Sequence, residues 1–230
     1  MSKNLFILGT GTDVGKTYAS ALIVKKFLQN GINALYYKPV SSGNLPLANG
    51  TLKHCDIEFV RQISGLEILA DELSSYAYEN AYSPHLAARI EGSPAQISKI
   101  KDKFNHLQKS CEYLLIEGAG GAVTPLNFSQ DGSENLMLLD LVKQLCPSVL
   151  LVACARLGGI NAAVLTCEYL RNNGVAIQGI ILNHFNEQDP ICVDNYKMIE
   201  ILCKTSVVDT ISSSQIGLNL SIDKLKSLFV

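Results

Sequence analysis

A glycine-rich segment near the N-terminus combines the residue types that can hold a polyphosphate. The run Gly9-Thr10-Gly11-Thr12-Asp13-Val14-Gly15-Lys16-Thr17 follows an apolar stretch at residues 5–8 and precedes a helical pattern at residues 16–30. Glycines let the backbone curl so that successive N–H groups point inward, and the helix N-terminus adds positive potential. Lys16 is placed to reach the outer phosphates and Thr17 to coordinate Mg²⁺. The segment predicts a binding site for a nucleoside triphosphate and Mg²⁺.

The spacing of this loop differs from the strict phosphate-binding pattern. Five residues separate Gly9 from Gly15, where the pattern needs four, and Thr10 occupies the position at which the first glycine is expected. The alternative interpretation is a glycine-rich turn between a strand and a helix, with a chance Gly-Lys-Thr sequence. The strand before and the helix after favour the phosphate-binding loop, because that context is what the motif requires.

Three polar residues close predicted strands elsewhere in the chain. Lys38, Glu117 and Asn183 each stand at the carboxyl end of an apolar run, the edge at which open α/β sheets bind their ligands. Each could instead be a solvated strand end. Asp56 has two interpretations: a Mg²⁺ ligand together with Thr17 and Glu117, since Mg²⁺ prefers oxygen ligands, or a cap for the short helix that it precedes.

The elements that position these residues alternate between short apolar runs and longer helical patterns. The sequence predicts strands at residues 5–8, 34–38, 113–116, 149–154 and 177–182, and helices at 16–30, 56–64, 93–109, 135–145, 160–172 and 191–203. Pro39 is expected to end the second strand, and Ser93 with Gln96 to form a capping box for the third helix. Near-continuous apolar strands indicate a sheet buried on both faces. The predicted fold is therefore one α/β domain over residues 1–230, a doubly wound, mostly parallel sheet with helices on both faces. The last thirty residues are too weakly patterned for an assignment.

Composition excludes several classes of protein. The formal net charge is −2 and no run of lysines or arginines forms a stripe, which argues against nucleic-acid or anionic-membrane partners. The apolar stretches are too short to span a bilayer, and the N-terminus lacks a signal-peptide pattern. Seven cysteines without a C-x-x-C pair indicate reduced thiols, so a cytoplasmic location is expected.

Four motifs together resemble the dethiobiotin synthetase family. They are Gly-Thr-x-Thr-x-Val-Gly-Lys-Thr at 9–17, Tyr-Lys-Pro-Val-x-Ser-Gly at 37–43, Ser-Pro-His at 83–85 and Glu-Gly-Ala-Gly-Gly at 117–121. The five-residue spacing of the phosphate loop is this family's own variant, and the resemblance extends from Gly9 to about Asn183. It implies a fold of the P-loop NTPase type and a cytoplasmic homodimer. The implied reaction is ATP- and Mg²⁺-dependent carboxylation of 7,8-diaminopelargonate by CO₂, through a phosphorylated carbamate, with closure of a cyclic urea.

The resemblance also assigns roles to individual residues. It implies that Lys38, Lys16 and Thr12 are catalytic, and that Thr17, Asp56 and Glu117 hold Mg²⁺. The implied nucleotide-binding residues are Asp13, Val14, Gly15, Lys16, Thr17, Tyr18, Asp56, Glu117, Gly118, Ala119, Gly120, Asn183 and His184. The implied substrate-binding residues are Ser42 and, from a loop that crosses the dimer interface, Gly158, Gly159, Ile160 and Asn161.

Two departures from the family concern the nucleotide base. His184 stands where an acidic residue often follows the asparagine at 183, and the chain after Thr205 lacks the Gly-x-Ile-Pro stretch that usually helps to hold the base. The preference for ATP over other triphosphates therefore does not follow from the sequence.

Two other functions fit the phosphate-binding loop. One is a partitioning-type P-loop ATPase, a molecular switch that carries a signature lysine six positions before the final threonine; here that position is Gly11. The other is an amide-forming ligase of the same superfamily, which would activate a carboxylate rather than a carbamate. The pairing of Tyr37-Lys38-Pro39-Val40 with Ser42-Gly43 favours the cyclic-urea reaction.

Overall fold

The computed structural model describes residues 2–129, 135–213 and 215–230, in which strands and helices alternate. The strands are β1 (Lys3–Gly9), β2 (Ala34–Ser41), β3 (Leu45–Pro46), β4 (Leu52–Lys53), β5 (Ser74–Ala77), β6 (Tyr113–Gly121), β7 (Pro125–Asn127), β8 (Leu136–Met137), β9 (Ser148–Cys154), β10 (Ala176–Asn183) and β11 (Val207–Ile211). The α-helices are α1 (Lys16–Gln29), α2 (Cys55–Ser64), α3 (Pro84–Ile90), α4 (Ile97–Leu107), α5 (Leu138–Leu145), α6 (Gly159–Asn172), α7 (Pro190–Cys203) and α8 (Ile222–Ser227).

The central sheet is parallel throughout the part of the chain that the structure describes. Seven strands are hydrogen-bonded in the order β11-β10-β9-β1-β6-β2-β5. Residues Leu5 to Leu8 of β1 are all 0% exposed, although neighbouring residues of a strand point to opposite faces. Both faces of the sheet are therefore covered, which confirms the predicted doubly wound α/β class.

This topology gathers the predicted polar residues at one edge. The central strand β1 lies between β6 and β9, and its carboxyl end leads into the glycine-rich loop and α1. Glu117 of β6 is in register with Ile7 of β1, and Asn183 closes β10 on the other side. Because the strands are parallel, their carboxyl ends meet at the same edge, as expected from the sequence.

The prediction that Pro39 ends the second strand is wrong, because β2 continues to Ser41. Its register with β6 runs from Ala34 to Tyr37, and its register with β5 from Lys38 to Ser41. Pro39 therefore lies beyond the register with β6, where strand pairing is on one side. A proline without an N–H group is tolerated at such a position.

The predicted capping box at Ser93 and Gln96 is also wrong, because α4 begins at Ile97 and no side chain caps it. The backbone of this segment contacts the chain around β5 instead. The Tyr78 hydroxyl donates to the Ser93 carbonyl at 2.6 Å, and the Gln96 N–H donates to the Tyr76 hydroxyl at 3.1 Å. Tertiary contacts thus override a local helix-start signal.

The helix predicted at 135–145 begins only at Leu138, and residues 136–137 form a short strand that pairs with β7. The chain after Thr205 contains β11, which extends the sheet beside β10, and α8. Its end returns to the start of β1, where Asn4 and Val230 exchange backbone hydrogen bonds of 2.7 and 3.0 Å. Among the described residues, no helix combines the length and apolarity that crossing a membrane requires.

Candidate active site

A cavity of about 600 Å³ opens at the carboxyl ends of the strands. The side chains of Lys16 and Lys38, from two different elements, both line it. The full lining consists of Thr12, Asp13, Gly15, Lys16, Thr17, Tyr18, Lys38, Ser41, Ser42, Asp56, Ala119, Gly120, Asn183, His184, Ser212 and Ser213. The structure thus brings together most of the residues that the sequence analysis placed at the site.

The glycine-rich loop leads from β1 into α1 and has the backbone geometry of an anion-binding turn. Gly15 has a φ of +92° and Asp13 a φ of +58°, both in the left-handed region. Lys16 is the first residue of α1, and its ammonium donates to the Gly11 carbonyl at 2.9 Å. Burial, and then the charge of Lys38, lower the pKa of Lys16. The loop therefore places a poorly solvated cation beside a helix N-terminus.

Glu117 lies beneath the cavity and is completely buried. Its Oε1 accepts hydrogen bonds from the Thr17 hydroxyl at 2.8 Å and the Lys38 ammonium at 2.7 Å. Its Oε2 accepts from the Ser20 hydroxyl at 2.6 Å and the Tyr36 hydroxyl at 3.0 Å. A buried carboxylate is costly unless it is paired and hydrogen-bonded, and here two donors meet each oxygen.

Lys38 joins Glu117 to the second carboxylate of the site. Its ammonium lies 2.6 Å from Asp56 Oδ2, and the Asp56 side chain remains 41% exposed to the cavity. Burial lowers the pKa of Lys38, but the two carboxylates outweigh it and the net shift is upward. For Asp56, burial raises the pKa, but the charges of Lys38 and Lys16 and the hydrogen bonds from Lys38 and Thr17 together outweigh burial, so the pKa is lowered. Both groups are therefore charged near neutral pH.

The structure excludes one of the two interpretations of Asp56. The residue at the N-cap of α2 is His54, and Asp56 lies within the first turn of that helix. Its carboxylate pairs with Lys38 rather than with the helix N-terminus. The capping interpretation is therefore wrong, and Asp56 belongs to the cavity.

Asn183 lines the cavity and also contacts the phosphate loop. Its side-chain amide donates to the Val14 carbonyl at 3.0 Å, and a Cβ on Gly15 would lie only 1.9 Å from that amide nitrogen. His184 follows with a φ of +58° and also lines the cavity. Burial, followed by the charge of Arg156, lowers the pKa of His184.

Several predicted site residues are not part of the described cavity lining. The Val14 carbonyl accepts a hydrogen bond from the Asn183 side chain. Gly118 packs tightly against Leu138, because a Cβ added at this glycine would lie 2.9 Å from the Leu138 side chain. The loop 158–161 forms the start of α6 and is absent from the residues that line the cavity within the described chain. The N–H of Gly159, one of the implied substrate-binding residues, donates to the Arg156 carbonyl at 2.9 Å.

The sequence analysis missed residues of two kinds. Ser212 and Ser213, which follow β11, line the cavity from a part of the chain that had no assignment. Ser20 and Tyr36 hold Glu117 from apolar segments in which a serine and a tyrosine carry no functional signal. Only the i, i+3 spacing of Ser20 from Thr17 and the i, i−2 spacing of Tyr36 from Lys38 could have indicated them.

A parallel α/β sheet with a lysine-bearing phosphate loop after its central strand defines the class of P-loop nucleotide-binding proteins. Solved structures of this class are similar to the chain in fold. A MinC:MinD cell division protein complex from Aquifex aeolicus matches with a TM-score of 0.55 and 13% identity, over 99% of this chain and 86% of that chain. A ParA family ATPase from Chlorobium tepidum TLS matches with a TM-score of 0.54 and 13% identity, over 93% and 84%.

Sequence comparison defines the family within this class. A family model described as an AAA domain matches residues 3–215. An ATP-dependent dethiobiotin synthetase BioD from Brachyspira hyodysenteriae is 41% identical over 90% of this chain and 91% of its own length. The protein of the same name from Clostridium perfringens strain 13 is 43% identical over 92% and 91%. The chain belongs to the family of ATP-dependent dethiobiotin synthetases.

Proposed function

We propose that this chain converts 7,8-diaminopelargonate, CO₂ and ATP into dethiobiotin, ADP and phosphate, through a phosphorylated carbamate. The observation that carries the mechanism is the single cavity lined by both Lys16 and Lys38. It offers one volume in which two cations can face a polyphosphate and a carbamate together. Membership of the family supports the overall reaction.

The phosphates of ATP lie along residues 13–18 in this proposal. The N–H groups of the loop and the N-terminus of α1 face the phosphate oxygens, and Lys16 moves from the Gly11 carbonyl to the transferring phosphate. Asn183 and His184 line the cavity and are assigned to the nucleoside end in this proposal. Ala119, Gly120, Ser212 and Ser213 line the same cavity.

Thr17 and Asp56 fit a Mg²⁺ site, because both line the cavity and offer oxygen ligands. Glu117 fits a supporting position, since both of its oxygens already accept hydrogen bonds. It becomes a direct ligand only if Lys38 releases Oε1. Mg²⁺ bound there would neutralise charge on the phosphates during transfer.

The first chemical step requires a neutral amine. An alkyl amine with a pKa like that of lysine is only about 0.04% neutral at pH 7, and the neutral form attacks CO₂. Lys16 and Lys38 line the cavity and would stabilise the carbamate anion as it forms. Thr12 lies in the same lining and is positioned to donate to the carbamate.

The second and third steps need no protein nucleophile. A carbamate oxygen takes the γ-phosphoryl group, ADP leaves, and the second amine attacks the carbamate carbon and expels phosphate. Transfer of this kind depends on positioning and electrostatics, which the two lysines supply. Among the described residues, we assign no role to a cysteine or histidine nucleophile.

The diamine is held at both ends in this proposal. Ser42 lines the cavity, and its hydroxyl currently donates to the Tyr82 carbonyl at 2.7 Å. The loop 158–161 starts α6 outside the cavity of its own chain, and Leu157 beside it is 87% exposed. We propose that this loop contacts the substrate carboxylate in the site of a partner copy, within a homodimer.

The test follows product and phosphate together. Purified protein with ATP, Mg²⁺ and bicarbonate is assayed with and without the diamine, by phosphate release and by mass spectrometry of dethiobiotin. We expect phosphate release to require the diamine and to match dethiobiotin in a one-to-one ratio. Diamine-independent hydrolysis without dethiobiotin would contradict the proposal and favour a nucleotide-dependent switch, to which the fold alone is also similar.

A further inference from the structure

The four donors to Glu117 divide into two pairs with different surroundings. Thr17 and Lys38 bind Oε1 and both line the cavity. Ser20 and Tyr36 bind Oε2 and are 0% exposed. One oxygen of Glu117 therefore faces the reaction volume, and the other faces the protein interior.

The same two elements supply both pairs. Helix α1 carries Thr17 and, one turn later on the same face, Ser20. Strand β2 carries Tyr36 and, two residues later on the same face, Lys38. Each element thus contributes one donor to the cavity-side oxygen and one to the interior oxygen. This arrangement fixes the rotation of the carboxylate about its last bond.

We propose that Ser20 and Tyr36 are positioning residues, which hold Oε2 of Glu117 so that Oε1 remains aimed at Thr17 and Lys38. This inference rests on the proposed function. Ser20 and Tyr36 would position Glu117, and through it the oxygen ligands for a divalent cation and the catalytic Lys38, without contacting the substrate. Without the interior pair, Lys38 and Thr17 face a carboxylate that can turn away from them.

The chain contains a matched control for Tyr36. The adjacent Tyr37 is also buried, and its hydroxyl donates to the Ile100 carbonyl at 3.0 Å and pairs with Ser75 at 2.7 Å, away from Glu117. Tyr36→Phe and Tyr37→Phe each remove one buried hydroxyl with hydrogen bonds. Only the first removes a donor to Glu117.

The experiment measures the binding of Mn²⁺·ADP by calorimetry and the kinetics of dethiobiotin formation, with thermal unfolding of each variant. We expect Tyr36→Phe to weaken Mn²⁺·ADP binding and to lower kcat by about tenfold each, the factor that one hydrogen bond to a charged group supplies. The KM for the diamine should stay near that of the wild type. Tyr37→Phe should leave both binding and kcat unchanged.

Ser20→Ala provides a second variant that does not depend on the folding of Tyr36→Phe. Its control is Ser64→Ala, since Ser64 is buried in α2 and donates to the Val60 carbonyl at 2.7 Å. Equal Mn²⁺·ADP affinity and equal kcat in each variant and its control would overturn the inference while the proposed function stands. A wild type that binds Mn²⁺·ADP but forms no dethiobiotin would contradict the proposed function, and the binding comparison would still test Ser20 and Tyr36.

Discussion

Lys38 is held between two carboxylates, and this pairing defines its contribution to the site. The ammonium lies 2.7 Å from Glu117 and 2.6 Å from Asp56. A lysine buried alone would lose its proton readily, but two anions keep this one charged. In the proposed mechanism, Lys38 would exchange one of these carboxylates for the anion that develops in the cavity.

We predict that Lys38→Ala lowers kcat for dethiobiotin formation by about 10²- to 10³-fold, the usual loss on removal of one preorganised charge stabiliser. Steady-state kinetics measure this effect. The control is Lys109→Ala, because Lys109 is an exposed lysine after α4. Turnover like that of the wild type in Lys38→Ala would remove Lys38 from the mechanism.

Asp56→Asn should raise the Mg²⁺ concentration needed for half-maximal activity, because a cavity-facing carboxylate is lost. A Mg²⁺ titration at saturating ATP measures the change. An unchanged titration curve would exclude Asp56 as part of the cation site. Circular dichroism should show that the variant keeps its helices, since Asp56 does not cap α2.

The same substitution gives a pH-dependent effect on stability. Because the folded pKa of Asp56 lies below its ordinary value of 3.8, its ionised form stabilises the fold above that pH. The stabilisation is lost as the pH falls through the lowered folded pKa. In urea unfolding without Mg²⁺ or nucleotide, the wild type should exceed Asp56→Asn at about pH 6, and the difference should shrink below about pH 3.8. A difference that stays constant with pH would contradict the Asp56–Lys38 pairing.

Sequence alone could place Lys38, Glu117 and Asn183 at one site, because the carboxyl ends of parallel strands meet at one edge. For Ser20 and Tyr36 it offers only their spacing from Thr17 and Lys38, since a buried hydroxyl in an apolar segment looks the same whether it bonds a carboxylate or a carbonyl. Tyr37, beside Tyr36 and bonded to Ile100, illustrates this ambiguity. Which group each buried hydroxyl bonds depends on how α1 packs against the sheet.

At the scale of elements, the sequence predicts five of the seven strands of the central sheet and misses β5 and β11 at its two edges. Apolar runs identify the five because burial on both faces leaves little choice of residue, whereas β5 and β11 alternate between buried and partly exposed residues. The starts of α4 and α5 were misplaced, since local signals there compete with contacts to β5 and β7. The end of β2 was predicted too early at Pro39, because the sequence does not show that β2 is paired on only one side at that residue.

The junction between β9 and α6 provides a prediction at this scale. A Cβ on Gly159 would lie 2.0 Å from the Cys154 carbonyl oxygen, so Gly159→Ala forces backbone atoms apart. We expect a loss of about 1–3 kcal/mol in the free energy of unfolding, typical of overpacking. Chemical denaturation measures it. Gly217→Ala is the control, since a Cβ there has open space and the residue is exposed. Equal stability of the two variants would show that the junction adjusts freely.

For the whole molecule, the C-terminal segment is the main difference between expectation and structure. Residues after Thr205 add β11 to the sheet, carry Ser212 and Ser213 to the cavity and return Val230 to Asn4. Side chains of α1 hold part of this segment, since Lys25 and Lys26 donate to the carbonyls of residues 216 and 218. Its polar, irregular sequence gave no periodic signal, and its path depends on contacts with α1. The single-domain organisation over residues 1–230 stays a prediction.

The proposed homodimer predicts complementation between two defective variants. Lys38→Ala damages the cavity of its own chain, whereas Asn161→Ala is expected to raise the KM for the diamine in the site of the partner copy and to leave nucleotide binding intact. In a hybrid dimer, one site has both an intact Lys38 and an intact loop. After unfolding and refolding of an equal mixture, activity at low diamine concentration should recover to about a quarter of the wild type, since half of the dimers are hybrids with one intact site.

Mixing without recovery would show that Lys38 and Asn161 act in the same subunit or that the chain does not dimerise. Light scattering of the wild type separates these outcomes. A collapse of nucleotide affinity in Asn161→Ala would contradict the assignment of the loop to the diamine.

Asn183 and Gly15 constrain each other although 168 positions separate them along the chain. A smaller residue at 183 leaves the Val14 carbonyl without its amide donor, and any side chain at 15 meets that amide. A mutant library that randomises position 183 to change nucleotide preference would therefore lose many members through damage to phosphate binding. Libraries at Ser212 and Ser213 alter the same cavity without touching the loop, and selection should recover new preferences there first.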